Sequence, residues 1–150
     1  MTIRQRPGAE TLQTNDTVRA QREAKVSGVR PSLRSSQRIL IVDANSDALA
    51  FMAFALRRHG HAVVLADGVQ SAVTAASIQS FDVVITNLAL RDGTGMTLLK
   101  MLQEKSRIRG IALSEDGCDD NVVLDAGFEF KLQKPVPIAT LTHAVLALGT

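Results

Sequence analysis

Four polar side chains stand where short apolar runs end: Asp43 after RILIV, Asn87 after VVIT, Ser114 after GIAL and Lys134 shortly after FEFKL. A carboxylate, an amide, a hydroxyl and an ammonium at strand ends, where ligands bind in open α/β sheets, define a candidate site. They differ in what they can attack. Asn87 can orient a ligand through its amide but makes a very poor nucleophile, because it carries no anionic oxygen. The stretch Asp43-Ala44-Asn45-Ser46-Asp47 begins like a calcium loop, D-x-N-x-D. Ala48 stands where that loop needs glycine and Phe54 where it needs a bidentate glutamate, so calcium binding is not expected.

These residues are positioned by a repeating texture that starts at Arg38. RILIV (38–42) reads as a strand, and the next segment repeats Leu49, Met52, Ala53 and Leu56 at helical spacing. Ser46 or Asp47 is the expected cap, and Gly60 the stop. HAVVLA gives a second strand, Val69, Ala72, Val73 and Ala76 a second helix, and FDVVIT a buried third strand ending at Asn87. After the turn Asp92-Gly93-Thr94-Gly95, Met96, Leu99 and Leu102, supported by Leu98, stripe a third helix. GIALS is the fourth strand, a short helix is expected around Asn121 to Asp125 before Gly127, and FEFKL is the fifth strand. Ile138, Leu141, Val145 and Leu148 stripe the last helix.

Five βα units in this order predict an α/β fold, a flavodoxin-like (βα)5 doubly wound parallel sheet with strand order 2-1-3-4-5 and right-handed crossovers. The loops after the first and third strands meet at the switch point of such a sheet. Asp43 and Asn87 should therefore lie close together, with Ser114 and Lys134 arriving from the fourth and fifth strands.

Composition agrees with one domain and a tail. The chain has 150 residues, 45% of them hydrophobic, with five Phe, no Trp and no Tyr, so its core must be aliphatic. The formal net charge of +2 hides a split: residues 1–36 carry +4 and the remainder −2. The first part (1–36) reads as a disordered basic N-terminal tail and the second (37–150) as the folded domain. One thin helix over NDTVRAQREAKVSG is the tail's only structural candidate. Its scattered arginines, with no aromatic residues among them, give no nucleic-acid recognition surface. The N-terminus lacks the apolar core of a signal peptide, and no apolar run approaches the ~18 residues of a membrane helix. A lone cysteine, Cys118, flanked by Asp116, Asp119 and Asp120, implies neither an internal disulfide nor a reactive thiol. A reduced, cytoplasmic setting is the expectation.

From Arg38 to Leu148 the pieces ILIVDA, GHAVVLADG, FDVVITNLALRDGTGMTLL, IALS and DAGFEFKLQKPV follow one another as in the receiver domains of two-component response regulators, a family this sequence resembles over about three quarters of its length. The ending AGFEFKLQKPV particularly resembles receivers attached to hybrid sensor kinases. The resemblance implies transfer of a phosphoryl group from a partner's phosphohistidine to an aspartate at the end of the third strand. An acidic pair after the first strand and Mg²⁺ assist it, with a hydroxyl on the fourth strand and a lysine before a cis proline. Position by position, Asp43 matches the first acid and Ala44 stands in place of the second. Asn87 occupies the phosphoacceptor position, Ser114 matches the hydroxyl, and Lys134 with Pro135 matches the lysine and its cis proline. Two of three carboxylates are thus missing.

An intact site would gather charge near −2. Like charges about 4 Å apart repel by about 4 kcal/mol at an effective dielectric of about 20, which a hard dication relieves. In this sequence Asp43 and Lys134 cancel. Asp43 as the one metal ligand implies weak or no Mg²⁺ binding, and the expected cofactor is none. Lys134 is expected to serve chiefly as a structural ion-pair partner of Asp43.

Further departures concern switching. Lys131 stands at the family's switch-aromatic position, and Phe130 beside it should point to the opposite face of its strand. Arg91 replaces the common proline of the LP dipeptide, and the connection between the fourth and fifth strands is about two residues shorter than is typical. No DNA-binding or output-enzyme segment is expected after Thr150, and the expected role is that of a non-enzymatic, degenerate receiver. Its expected partner is a histidine kinase or other signalling protein, met through the first and fifth helices or the face of the fourth helix and fifth strand. A homodimer through the fourth-helix, fifth-strand and fifth-helix face is also open. Two alternatives remain: a phosphorylatable receiver silenced by an engineered Asn87, which leaves Ala44 unexplained, and a flavin-type binder. The latter is disfavoured by DANSDA, which has no glycine and begins with an anion that repels phosphate.

Overall fold

The structure, a computed structural model, describes residues 3–5, 36–115 and 119–149. The expectations for Cys118 and for residues 6–35 lie outside the described residues. In chain order the elements are β1 (Ile3–Gln5), β2 (Arg38–Val42), α1 (Ser46–Arg58), β3 (Ala62–Ala66), α2 (Val69–Ile78) and β4 (Val83–Asn87). There follow β5 (Ala89–Leu90), β6 (Gly93–Thr94), α3 (Gly95–Gln103), β7 (Arg109–Ser114), α4 (Asp120–Asp125), β8 (Phe128–Gln133) and α5 (Ile138–Leu148).

Five strands run parallel in the order β3-β2-β4-β7-β8, the flavodoxin-like arrangement that the βα repeat predicts. Each central strand is apolar on both sides because helices cover both faces. One layer joins Ile39, Ile85, Ile111 and Phe130 to α1 and α5 through Leu56, Leu141 and Val145. The other joins Leu40, Val84, Ala112 and Phe128 to α2, α3 and α4 through Ala72, Leu98, Leu99 and Val123.

Simple alternation would put Phe128, Phe130 and Leu132 on one face, yet Phe128 belongs to one layer and Phe130 and Leu132 to the other. Register explains it: Gly110 pairs with Phe128 and Ile111 with Phe130, so Glu129 is an extra residue, a bulge that reverses the alternation. Gly110 permits it, since a Cβ there would fall 2.7 Å from the Phe128 ring.

Three local features differ from the sequence reading. α1 is capped by Asn45, not Ser46 or Asp47; its side-chain oxygen accepts the N–H groups of Asp47 and Ala48 at 3.0 and 3.1 Å. The expected turn after the third parallel strand is a small hairpin, with β5 and β6 paired antiparallel. Within the stretch read as tail, Ile3–Gln5 form β1, which pairs antiparallel with β8 and makes the sheet six-stranded. An edge strand offers unpaired backbone groups, and the chain's own N-terminal segment meets them.

Candidate functional site

Strand register brings the candidates together. β2 and β4 align Val42 with Thr86, so Asp43 and Asn87 follow side by side at the carboxyl ends of their strands. β4 and β7 align Asn87 with Leu113, one residue before Ser114, and β7 and β8 align Ser114 with Gln133, one residue before Lys134. The Lys134 N–H donates to the Ser114 carbonyl at 2.8 Å, and the Lys134–Pro135 peptide is cis, as expected from the sequence.

Asp43 is 2% exposed. One of its carboxylate oxygens accepts from Lys134 Nζ at 3.2 Å and the other from the Asn45 backbone N–H at 2.9 Å. A buried carboxylate without such partners would be strongly disfavoured. Ala44 beside it is exposed and contributes no oxygen. Ser114 is buried, and its hydroxyl donates to the carbonyl of Glu115 at 2.7 Å. The amide oxygen Oδ1 of Asn87 is buried and has no hydrogen-bond partner among the described residues. The loop that carries Asn87 is held by Gly95, whose N–H donates to the Leu88 carbonyl at 2.9 Å. Gly95 packs so closely that a Cβ would lie 2.5 Å from the Asn87 carbonyl.

The oxygen inventory decides what the site can hold. Mg²⁺ prefers octahedral oxygen coordination with carboxylate charge. Asp43 is the one carboxylate among positions 43, 44 and 87, and both its oxygens are already engaged. No group of three or more His, Cys, Asp or Glu residues suited to a metal occurs among the described residues. The residues present do not fit a divalent-metal site.

Lys131 pairs with α4. Its side chain is 8% exposed and its Nζ donates to Asp120 Oδ1 of α4 at 2.6 Å, while Phe130 faces the layer beneath α1 and α5. Asn45, whose N–H meets Asp43 and whose side chain caps α1, is a position that the sequence reading treated as a calcium-loop residue alone. Its side-chain type was a signal for capping; the backbone N–H that reaches Asp43 leaves no trace in a sequence. Asp120, the partner of Lys131, was likewise read as a neighbour of Cys118 and not as a partner of the fifth strand.

Next to Asp43 and Lys134 opens a cleft of about 570 Å³ whose apolar wall includes Phe51, Met52, Pro135, Val136 and Ile138. Phe51 and Phe54 of α1 are 62% and 56% exposed, and the Arg58 guanidinium lies 5.7 Å from the Phe54 ring centre. No helix among the described residues is long and apolar enough to cross a membrane.

Comparison with known proteins gives the family. The profile described as response regulator receiver domain matches residues 39–146. The KDP operon transcriptional regulatory protein KdpE of Escherichia coli is 31% identical over 105 residues, which make up 69% of this chain and 47% of that protein. This chain therefore spans about half the length of that curated relative. A response regulator receiver domain protein from Clostridium thermocellum superposes with a TM-score of 0.69 at 27% identity, covering 74% of this chain and 92% of the other. The same fold is seen, with a TM-score of 0.70 and 22% identity, in the receiver domain of the Saccharomyces cerevisiae response regulator Ssk1, solved together with the histidine phosphotransfer signaling protein Ypd1; 76% of this chain and 89% of that one are covered.

Proposed function

We propose that this chain, which belongs to the response regulator receiver domain family of two-component signalling, is a receiver that does not accept a phosphoryl group and acts as a protein interaction module. Receiver domains are signalling modules, and we assign this one no enzymatic activity. The observation that carries the reading is the closed account around Asp43: its two oxygens are taken up by Lys134 and the Asn45 N–H, and the acceptor position offers a neutral amide. Phosphoryl transfer needs an anionic oxygen that forms the new P–O bond as the bond to the donor breaks. Asn87 has none to give.

The partner of this reading is a histidine kinase, a phosphotransfer protein or another signalling protein, as in the yeast complex of Ypd1 with the Ssk1 receiver domain. Support comes from α1, where Phe51 and Phe54 expose apolar surface beside the cleft at Pro135 and Val136. Aromatic residues next to an arginine are frequent anchors of protein interfaces. A cytoplasmic setting accompanies this role.

Thermal unfolding with and without Mg²⁺ tests the reading. The unaltered chain should gain no stability from Mg²⁺. The Ala44→Asp/Asn87→Asp variant should gain about 2.7 kcal/mol at about 100 times its Kd, by mass action. Stabilisation of the unaltered chain by Mg²⁺ would sink the proposal.

A further inference from the structure

β8 is the edge of the five-stranded parallel sheet, and such an edge displays a row of backbone donors and acceptors that can pair with another strand. In this chain β1 lies along it antiparallel, with Ile3 opposite Leu132, Arg4 opposite Lys131 and Gln5 opposite Phe130. Among the described residues its neighbour in the sheet is β8. The βα units before it each reach the sheet by a crossover and enter it parallel; β1 precedes them all and enters from outside that series. We infer that β8 is a strand-acceptor surface and that residues 3–5 of the same chain plug it, which keeps the edge from pairing with a second copy.

Reach and concentration choose the occupant. Residues 6–35 connect Gln5 to Ser36, and three strands, β8, β7 and β4, stand between β1 and β2. Four strand spacings amount to about 19 Å, well within the ~100 Å that thirty residues can span when extended. A tether that easily spans its site presents its end at an effective concentration on the order of millimolar. At micromolar protein the chain's own segment therefore outcompetes that of a second copy by about a thousandfold. Three residue pairs make a short strand, so the plug stays on by tethering more than by intrinsic strength. A homodimer built on α4, β8 and α5 would have to share or displace β1, since both use the same strand edge.

Amide hydrogen exchange of β8 in the intact chain, in a chain lacking residues 1–5 and in an Ile3→Pro/Arg4→Pro double variant tests this directly. Proline supplies no N–H and breaks the ladder without shortening the chain. Both variants should exchange β8 amides at least about tenfold faster, with β4 amides in the sheet centre unchanged as the control for folding. A peptide of residues 1–8 added to the truncated chain should restore protection at millimolar and not at micromolar concentration. Protection in the intact chain should not vary with protein concentration. Equal β8 exchange in all three chains would overturn the inference. So would restoration by micromolar peptide, or protection that rises with protein concentration, which would place the strand on a neighbouring copy.

Discussion

Asp43 and Lys134 are 91 positions apart in sequence and 3.2 Å apart in space, and they are unequal partners: the aspartate side chain is 2% exposed and the lysine side chain 27%. Removing the ammonium should leave the buried anion, among the described residues, with the Asn45 N–H as its partner. Lys134→Met should therefore cost about 2 kcal/mol in urea unfolding, below the about 3–5 kcal/mol of a fully buried pair because water reaches the lysine. Asn87→Asp alone, which sets a second carboxylate near Asp43 without a second countercharge, should be less stable than the unaltered chain by about 1 kcal/mol in metal-free buffer. The meeting of Asp43, Asn87, Ser114 and Lys134 was legible because strand ends in a parallel sheet converge wherever the βα order dictates. The direction of the Ser114 hydroxyl and the second bond to Asp43 were not. Both depend on backbone groups, which every residue carries alike.

At the scale of elements, two carboxylates fasten helices from a distance. Asp92, in the loop between β5 and β6, accepts the backbone N–H groups of Gln70 at 2.9 Å and Val69 at 2.7 Å, and so caps α2 from another part of the chain. These bonds, that from Gln70 first, hold its carboxyl below the ordinary carboxylate value. A lowered pKa means that the folded state binds its proton less readily than the unfolded state. The cap's contribution is present above the unfolded value near 3.8 and fades as pH falls through the lower folded value. Asp92→Asn should lower the melting temperature at neutral pH, and the gap to the unaltered chain should narrow below that range. Asp120 holds Lys131 from α4, and Asp120→Asn should cost about 1–3 kcal/mol and speed amide exchange in α4, whereas Lys131→Met should be nearly neutral. Helix faces were readable from spacing: Leu49, Met52, Ala53 and Leu56 are all buried in α1, as their periodicity requires. The cap of α1 was not, because Asn45, Ser46 and Asp47 are all good capping residues in a row. β5 and β6 escaped because two residues carry no periodicity, and the distant cap by Asp92 because it is a tertiary contact.

For the molecule as a whole, the apolar layers above and below the sheet leave few polar groups inside, and His61 is one of them, 5% exposed. Its Nδ1 accepts the Gln37 N–H at 3.1 Å, and Gln37 in turn donates through Nε2 to the Val145 carbonyl at 2.7 Å, tying the entry to β2 to α5. Burial first, and the neighbouring charge of His59 second, push the His61 pKa below 6.5. The folded state thus favours the neutral ring, and the stability this contributes is present above 6.5 and is lost as pH falls through the folded value. The urea midpoint should drop between about pH 7.5 and about pH 5.5, less steeply in His61→Gln. The five parallel strands were legible from the βα repeat, while β1 was not, since three residues far from the domain in sequence reveal no partner. The central claim, that this receiver fold does not accept a phosphoryl group, is tested most directly by intact-mass measurement after incubation with Mg²⁺ and a small phosphodonor. The account predicts an unchanged mass for this chain and the addition of one phosphoryl group to Ala44→Asp/Asn87→Asp; a phosphoryl adduct on the unaltered chain would contradict it.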